Sequence, residues 1–208
     1  MPVHRRVVQS ASVDRLQALI AERLKPDADK TAIDRRIDDL FGETWCIMAT
    51  DLCGFSRGVA DFGIIHFLQT IYESSRILVP VVERNDGILL KIEGDSFLVI
   101  YRNVQKAIRS AIEMQRTVRE YNAARESTEQ VLLGVGLGYG KVLRIGDEDV
   151  FGVEVNSAYI LGEDTARAYE ILATQAVRDA AEEIDGITFE EIAKIPPGAG
   201  KAYRVRYQ

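Results

Sequence analysis

The segment 88–101 restricts the folds open to this chain more than any other stretch. It reads Ile-Leu-Leu-Lys-Ile-Glu-Gly-Asp-Ser-Phe-Leu-Val-Ile-Tyr. Two runs rich in branched and aromatic residues flank Glu93-Gly94-Asp95-Ser96, the pattern of a β-hairpin closed by a tight turn. Both arms are largely apolar, which predicts a central hairpin covered on both faces. Lys91 in the first arm and Asp95 at the turn interrupt that context, and a charge in apolar surroundings is costly unless it finds a partner. A turn Asp commonly caps the backbone. Asp95 by itself therefore has two readings, a structural cap or a carboxylate held for chemistry.

A second feature lies upstream, Trp45-Cys46-Ile47-Met48-Ala49-Thr50-Asp51-Leu52-Cys53-Gly54-Phe55-Ser56. An apolar strand runs into Asp51, a Gly turn follows, and helical spacing begins near Arg57 and continues to Leu78. A carboxylate at a strand end before a Gly loop that opens a helix suits a metal-bound phosphate, because a helix N-terminus offers free N–H groups and a positive dipole end. If Asp51 and Asp95 stand on neighbouring strands, their carboxylates can converge on hard cations. Mg²⁺ and Mn²⁺ favour such oxygen ligands together with substrate phosphates.

Four pieces of the chain resemble the catalytic domain of class III nucleotidyl cyclases, the adenylate and guanylate cyclase family. They are Asp51-Leu52-Cys53-Gly54-Phe55-Ser56, Lys91-Ile92-Glu93-Gly94-Asp95, Gly136-Leu137-Gly138-Tyr139-Gly140-Lys141-Val142, and Asp149-Val150-Phe151-Gly152-Val153-Glu154-Val155-Asn156. They occur in the family's order at compatible spacing and cover roughly 44–176. The resemblance implies an α+β fold, a ferredoxin-like cyclase homology domain with a mainly antiparallel sheet packed by helices. It implies two divalent cations, Mn²⁺ or Mg²⁺, held by Asp51, Asp95 and the Leu52 carbonyl. Gly54, Phe55 and Ser56 would cradle the β- and γ-phosphates through backbone N–H groups. Lys91 and Asp149 match the base-reading positions and look like the adenine-selecting pair, since an ammonium only donates and a carboxylate only accepts. Asn156 matches the residue that orients the ribose, and Lys141 a phosphate-contacting position. In the family the metal carboxylates come from one chain and the base-reading residues from the other. A homodimer with interfacial sites is thereby implied. The structural alternatives are an ion-paired strand residue for Lys91, a solvated loop residue for Asp149 and a helix cap for Asn156.

One position departs from the family. An Arg usually stands one turn after the Asn, to neutralise charge at the reacting phosphate; here it is Ile160. Removing such a donor can cost several kcal/mol of barrier, on the order of losing an oxyanion-hole donor. Three consequences are open: a slow enzyme, substitution by Lys141, Arg144 or Arg167, or a site rebuilt for another nucleotide. Stand-alone bacterial cyclases of this size resemble the pyrimidine cyclases of anti-phage defence (the Pycsar type). That resemblance of architecture favours UTP, converted to cyclic UMP, over CTP and ATP. A pocket narrowed beside Thr50, Phe97 and Val150 would agree with it. The rivals are an adenylate cyclase, a nucleotide-binding signalling module without turnover, and a polymerase-like or diguanylate-type enzyme.

Composition sets the remaining bounds. The 208 residues carry a net charge of −6, 47% hydrophobic and 28% charged residues, an ordinary globular mix. That balance argues against a nucleic-acid surface, which needs a basic patch. No apolar run approaches the ~20 residues of a membrane span, and no signal-peptide core follows the first residues, so a cytoplasmic protein is expected. Cys46 and Cys53 are the two cysteines and read as reduced, largely buried thiols. His4 and His66, the two histidines, give little support to a His-assisted nucleophile.

The order of elements follows from periodicity. A helical extension, 1–43, is predicted to hold helices at 13–24, capped by Ser12, and at 31–41; the catalytic domain would be 44–208. Pro80 leaves 79–82 open between helix and break. The period over 103–122 predicts a strong helix, and 131–145 a strand rich in glycine. A helix opening at Asn156 follows. Further elements are predicted at 171–174, 175–181 and 188–192, with alternation at 202–207 marking a half-exposed last strand.

Overall fold

The computed structural model describes residues 10–54 and 63–207. Helix α1 (Ala11–Arg23) starts at Ser10, whose side chain accepts a hydrogen bond from the Val13 N–H. The cap is thus Ser10 rather than Ser12. Helix α2 (Lys30–Phe41) starts at Asp29, which accepts from the Ala32 N–H. Strand β1 (Gly42–Leu52) follows directly, and helix α3 (Ile64–Arg84) runs through Pro80. Pro80 lies on the exposed side, where the loss of one backbone hydrogen bond is tolerated by a helix otherwise anchored by Leu78, Val81 and Val82. The hairpin is β2 (Ile88–Glu93) and β3 (Ser96–Tyr101), and α4 (Val104–Asn122) is capped by Asn103. Strand β4 (Leu133–Ile145), β5 (Asp149–Phe151) and α5 (Val153–Gly162) come next. β6 (Ile171–Thr174), α6 (Gln175–Ala180), β7 (Ile187–Ile192) and β8 (Ala202–Tyr207) complete the described chain.

The strands form one sheet in the order β2-β3-β1-β4-β6-β8-β7, with β5 paired to β4. Only the β4–β6 pairing is parallel among the described residues. This is the expected α+β architecture. The hairpin is not wholly central, however. β3 is buried between β2 and β1, while β2 is an edge strand whose residues are all partly or fully exposed. Its charges explain the placement, because Lys91 and Glu93 are tolerated at an edge and would be costly inside. A register shift between Leu89 and Lys91 bends this edge.

The two faces of the sheet are covered differently. On one, Val135, Leu137, Val99 and Tyr101 pack against Leu78, Val81, Ile108, Ala111, Met114 and Val118 of α3 and α4. On the other, Trp45, Ile47, Leu98, Ile100 and Val150 pack with Val155 and Ala158 of α5. The alternating glycines of β4 decide how α5 lies. A Cβ at Gly136 would sit 2.1 Å from the Ala158 carbonyl oxygen, and one at Gly138 would sit 2.2 Å from that of Glu154. The helix rests on bare strand backbone, and period-2 alternation sends Leu133, Val135 and Leu137 to the opposite core. Glu154 fastens the contact, accepting from the Tyr139 N–H (3.0 Å) and the Thr174 hydroxyl (2.7 Å). The two leading helices close over Leu143 and Ile145 at the far end of β4.

This packing predicts a graded glycine series. Gly136→Ala meets rigid backbone and should cost about 3 kcal/mol, within the upper range for overpacking. Gly140→Ala meets only the Glu154 side chain, at 3.0 Å, and should cost clearly less. Urea midpoints of the two variants check this; equal losses would contradict direct seating of α5 on Gly136.

Candidate active site

Asp51 lies one residue from the end of β1, and the pairing of Thr50 with Phe97 brings it beside the hairpin turn. Gly94 turns the chain at φ +61, a conformation glycine adopts without strain, and delivers Asp95 next to the strand end. The Ser96 hydroxyl donates to Asp51 Oδ1 at 3.3 Å. The Leu52 N–H donates toward both carboxylates. Burial pushes the Asp51 pKa up to about 6; the charges of Asp95 and Glu163 add to the rise, while the Ser96 and Leu52 hydrogen bonds oppose it. Asp95 is also raised, by burial first, against hydrogen bonds from its own amide, the Leu52 amide and the Asp51 carboxyl. Its Oδ2 is buried with no hydrogen-bond partner.

Two half-buried carboxylates, with the Asp95 charge opposing ionisation of Asp51 and one Asp95 oxygen idle, form a donor set suited to a hard cation. Asp51 and Asp95 fit such an ion as a pair completed by other ligands. No cluster of three or more metal-binding side chains occurs among the described residues. Glu163, just past α5, is a third carboxylate that the sequence reading missed. Burial raises its pKa, opposed by a hydrogen bond with Ser96 and reinforced by the charges of Asp164, Asp95 and Glu93. The signal that marks it is the i, i+4, i+7 stripe from Asn156 through Ile160 along one helix face.

A second cluster joins two other expected residues. Lys91 Nζ lies 3.0 Å from Asp149 Oδ2 and 3.3 Å from Glu93 Oε1. Burial works to lower the Lys91 pKa, yet the Asp149 hydrogen bond and charge outweigh it and the net direction is up. The ion pair considered as the structural alternative and the meeting of the two positions expected to read the base are one contact. Asp149 Oδ1 also accepts from the Val150 N–H. Asn156 is exposed and is the fourth residue of α5. It is not a cap, since Gly152 occupies that place. Tyr159, also missed, packs half-buried against the sheet cluster that includes Leu98 and Val150.

The other positions fall as follows. Gly54 is exposed at φ +92, and among the described residues nothing lies within 4 Å of a Cβ placed there; Phe55 and Ser56 lie outside the described residues. Lys141 is exposed and ion-paired with Asp38 of α2. Arg144 stacks over Trp45 and donates to the Gly146 carbonyl and Asp147. Arg167 is exposed, its backbone N–H donating to Glu170. Thr50, Phe97 and Val150 were expected to flank a base, and all three are core residues at 1–2% exposure. Strand pairing turns them inward, so they do not line an open pocket. Burial raises both thiols, Cys53 to about 11 and Cys46 further, which keeps them protonated at neutral pH. A cleft lined by Asn85, Arg109, Glu113 and Tyr207 contains none of the expected site residues.

No family model matches the chain. Over 133 residues it is 28% identical to the serine/threonine-protein kinase pkn2 of Myxococcus xanthus, covering 63% of this chain and 16% of that protein. Over 113 residues it is 29% identical to a Rhizobium meliloti (strain 1021) protein that carries an adenylate cyclase name, covering 54% of this chain and 19% of that one. The chain thus spans less than a fifth of these curated relatives. Among solved structures it resembles an adenylate/guanylate cyclase/hydrolase from Silicibacter pomeroyi, with TM-score 0.67, 20% identity, and 79% and 95% of the two chains covered. It also resembles a dimeric guanylyl cyclase domain of the RhoGC fusion protein from Blastocladiella emersonii, with TM-score 0.65, 15% identity, and 80% and 98% covered. The fold is that of adenylate and guanylate cyclase catalytic domains.

The Asp51 shift predicts a pH dependence of stability. Its folded pKa of about 6 lies above the ordinary value of 3.8. The contribution of Asp51 is therefore fully present below about pH 4 and is lost as pH rises through about 6. Asp51→Asn keeps a neutral group throughout. In metal-free buffer its stability relative to the parent protein should rise between pH 4 and 7. Urea titrations at several pH values check this, and a difference flat with pH would contradict the burial of a charge at Asp51.

Proposed function

We propose that this chain is a nucleotidyl cyclase that converts a nucleoside triphosphate to a 3′,5′-cyclic nucleotide and pyrophosphate. The observation that carries the reading is the convergence of Asp51 and Asp95, with a buried, donorless oxygen on Asp95. Asp51, Asp95 and the Leu52 carbonyl would hold two divalent cations, Mn²⁺ or Mg²⁺. When bound, these would supply Lewis-acid stabilisation of the attacking 3′-oxygen and the departing pyrophosphate.

The chain's own residues have distinct tasks. Asp51 and Asp95 hold negative charge at the mouth of the Gly54 turn. The backbone at Gly54, Phe55 and Ser56 would receive the β- and γ-phosphates. Lys91 and Asp149 present a donor and an acceptor side by side to the base edge. Asn156 projects from the first turns of α5 to orient the ribose. Ile160 supplies no charge, and Lys141, Arg144 and Arg167 are each engaged within their own chain or distant along it. A modest turnover follows from that lack. Two copies are proposed to assemble, each giving its carboxylates to a site completed by its partner's Lys91, Asp149 and Asn156. The exposed apolar residues Ile65 and Tyr72 of α3, at 81% and 68% exposure, agree with a surface covered in an assembly.

The favoured substrate is UTP, giving cyclic UMP. The Lys91–Asp149 contact supports ATP as the second reading, because that pairing is the adenine-selecting one in the resemblance. A role in anti-phage defence belongs to the pyrimidine product alone.

Two measurements test this. Incubation with ATP, GTP, CTP and UTP separately, with Mn²⁺ or Mg²⁺, should give cyclic UMP by mass as the main product. Asp51→Ala should be silent, a loss of at least about 10³-fold on the scale of removing a key charged group. Cyclic AMP instead would establish the second reading and remove the defence role. No product from any nucleotide would leave a binding module. Separately inactive Asp51→Ala and Lys91→Ala proteins should regain activity when mixed; no recovery in a verified heterodimer would refute the shared site.

A further inference from the structure

Tyr159 has no part in the proposed cyclase chemistry, yet it stands within electrostatic reach of the Lys91 cluster and of Glu163. It is the seventh residue of α5, one turn beyond Asn156, so both side chains leave the same face of the helix. The adjoining face, with Val155, Ala158 and Gly162, is pressed onto the sheet and cannot turn outward. The ring packs against the cluster that includes Leu98 and Val150, which are strand neighbours of the Lys91 and Asp149 positions. The phenol lies within electrostatic reach of Lys91, Glu93, Glu163 and Asp149. Among the described residues its hydroxyl has no hydrogen-bond partner. Thr50, Phe97 and Val150 are sealed in the core. Tyr159 is thus an aromatic side chain with a free polar tip standing beside the base-reading pair.

We infer that Tyr159 determines which base is accepted: its ring fills the space beside Lys91 and Asp149 that the second ring of a purine needs, and its hydroxyl offers a hydrogen bond to a pyrimidine edge. The inference rests on the proposed cyclase function and names the residue behind its substrate preference. A bulky ring excludes the larger base by overlap, while the hydroxyl adds a polar match that a wrong base leaves unmet. Pocket volume of this kind discriminates by about 10–200-fold, and an unmet polar group by more. Asn156 and Tyr159 would then divide the work of one helix face, ribose to the first and base to the second.

The test is the ratio of kcat/KM for UTP to that for ATP in the full chain, in Mn²⁺, for the parent protein and Tyr159→Ala, Tyr159→Leu and Tyr159→Phe. Tyr159→Ala should lower the UTP-to-ATP ratio by at least about tenfold, mainly by admitting ATP. Tyr159→Leu keeps apolar packing on the sheet and should lower it in the same direction, which covers the case of an unstable Ala variant. Tyr159→Phe should retain exclusion of ATP but narrow the gap between UTP and CTP. A ratio unchanged within about twofold in Ala and Leu variants that remain active overturns the inference and leaves the cyclase function standing. A parent protein that prefers ATP overturns it as well. If the parent makes no cyclic product, the cyclase function fails instead. Calorimetric binding of UTP and ATP then decides Tyr159 by the same ratio, with no change on substitution overturning its role.

Discussion

Helix α5 lies on bare backbone, and the candidate site depends on that contact. Gly136 and Gly138 remove the side chains that would hold the helix away, and Gly162 answers from the helix, where a Cβ would meet the Ala49 carbonyl at 2.6 Å. Glu154 then pins the first turn to β4 and to Thr174. Close backbone approach of this kind leaves little freedom in helix rotation. Asn156, Tyr159, Ile160 and Glu163 inherit their directions from it. A helix seated on ordinary side chains would stand further out and could roll, and the polar stripe would lose its aim.

The carboxylate pair shows a complementary constraint. Folding brings Asp51 and Asp95 together against the preference of both for water, and the hydrogen bonds from Ser96, the Leu52 amide and the Asp95 amide offset that burial only in part. Natural cores rarely keep such an arrangement for stability alone, and perturbed carboxyls concentrate where chemistry is done. The Lys91–Asp149–Glu93 group is different in kind, since the Lys91 ammonium pairs with both carboxylates and lets them coexist without a ligand.

Much of this was legible in the chain itself. The hairpin, the glycine strand and the long amphipathic α4 announce themselves through period, and their order fixes an α+β sheet. The meeting of Asp51 with Asp95, and of Lys91 with Asp149, follows from motif resemblance rather than from any local pattern. What escaped were properties set by neighbours far along the chain. The edge position of β2 depends on which strand takes the other side of β3. The burial of Thr50, Phe97 and Val150 depends on strand register and on how β4 and β5 curl over the sheet. Glu163 and Tyr159 carry no motif, and only the seating of α5 makes them face the charged groups. Ser10 displaced Ser12 as a cap because helix ends tolerate shifts of one or two residues.

Strand β4 also has a mechanical meaning. It pairs with β1 through eleven consecutive positions, from Gly42 opposite Leu143 to Leu52 opposite Leu133. One end touches the leading helices and the other reaches the Asp51 strand terminus. A slip of one residue would turn Leu133, Val135 and Leu137 into α5 and leave glycine facing the main core. Sliding is therefore forbidden, and the strand behaves as a rigid strut. The leading helices, packed on Leu143 and Ile145, and Asp149, paired with Ile145, are thereby held in one register with the Asp51 end of β1.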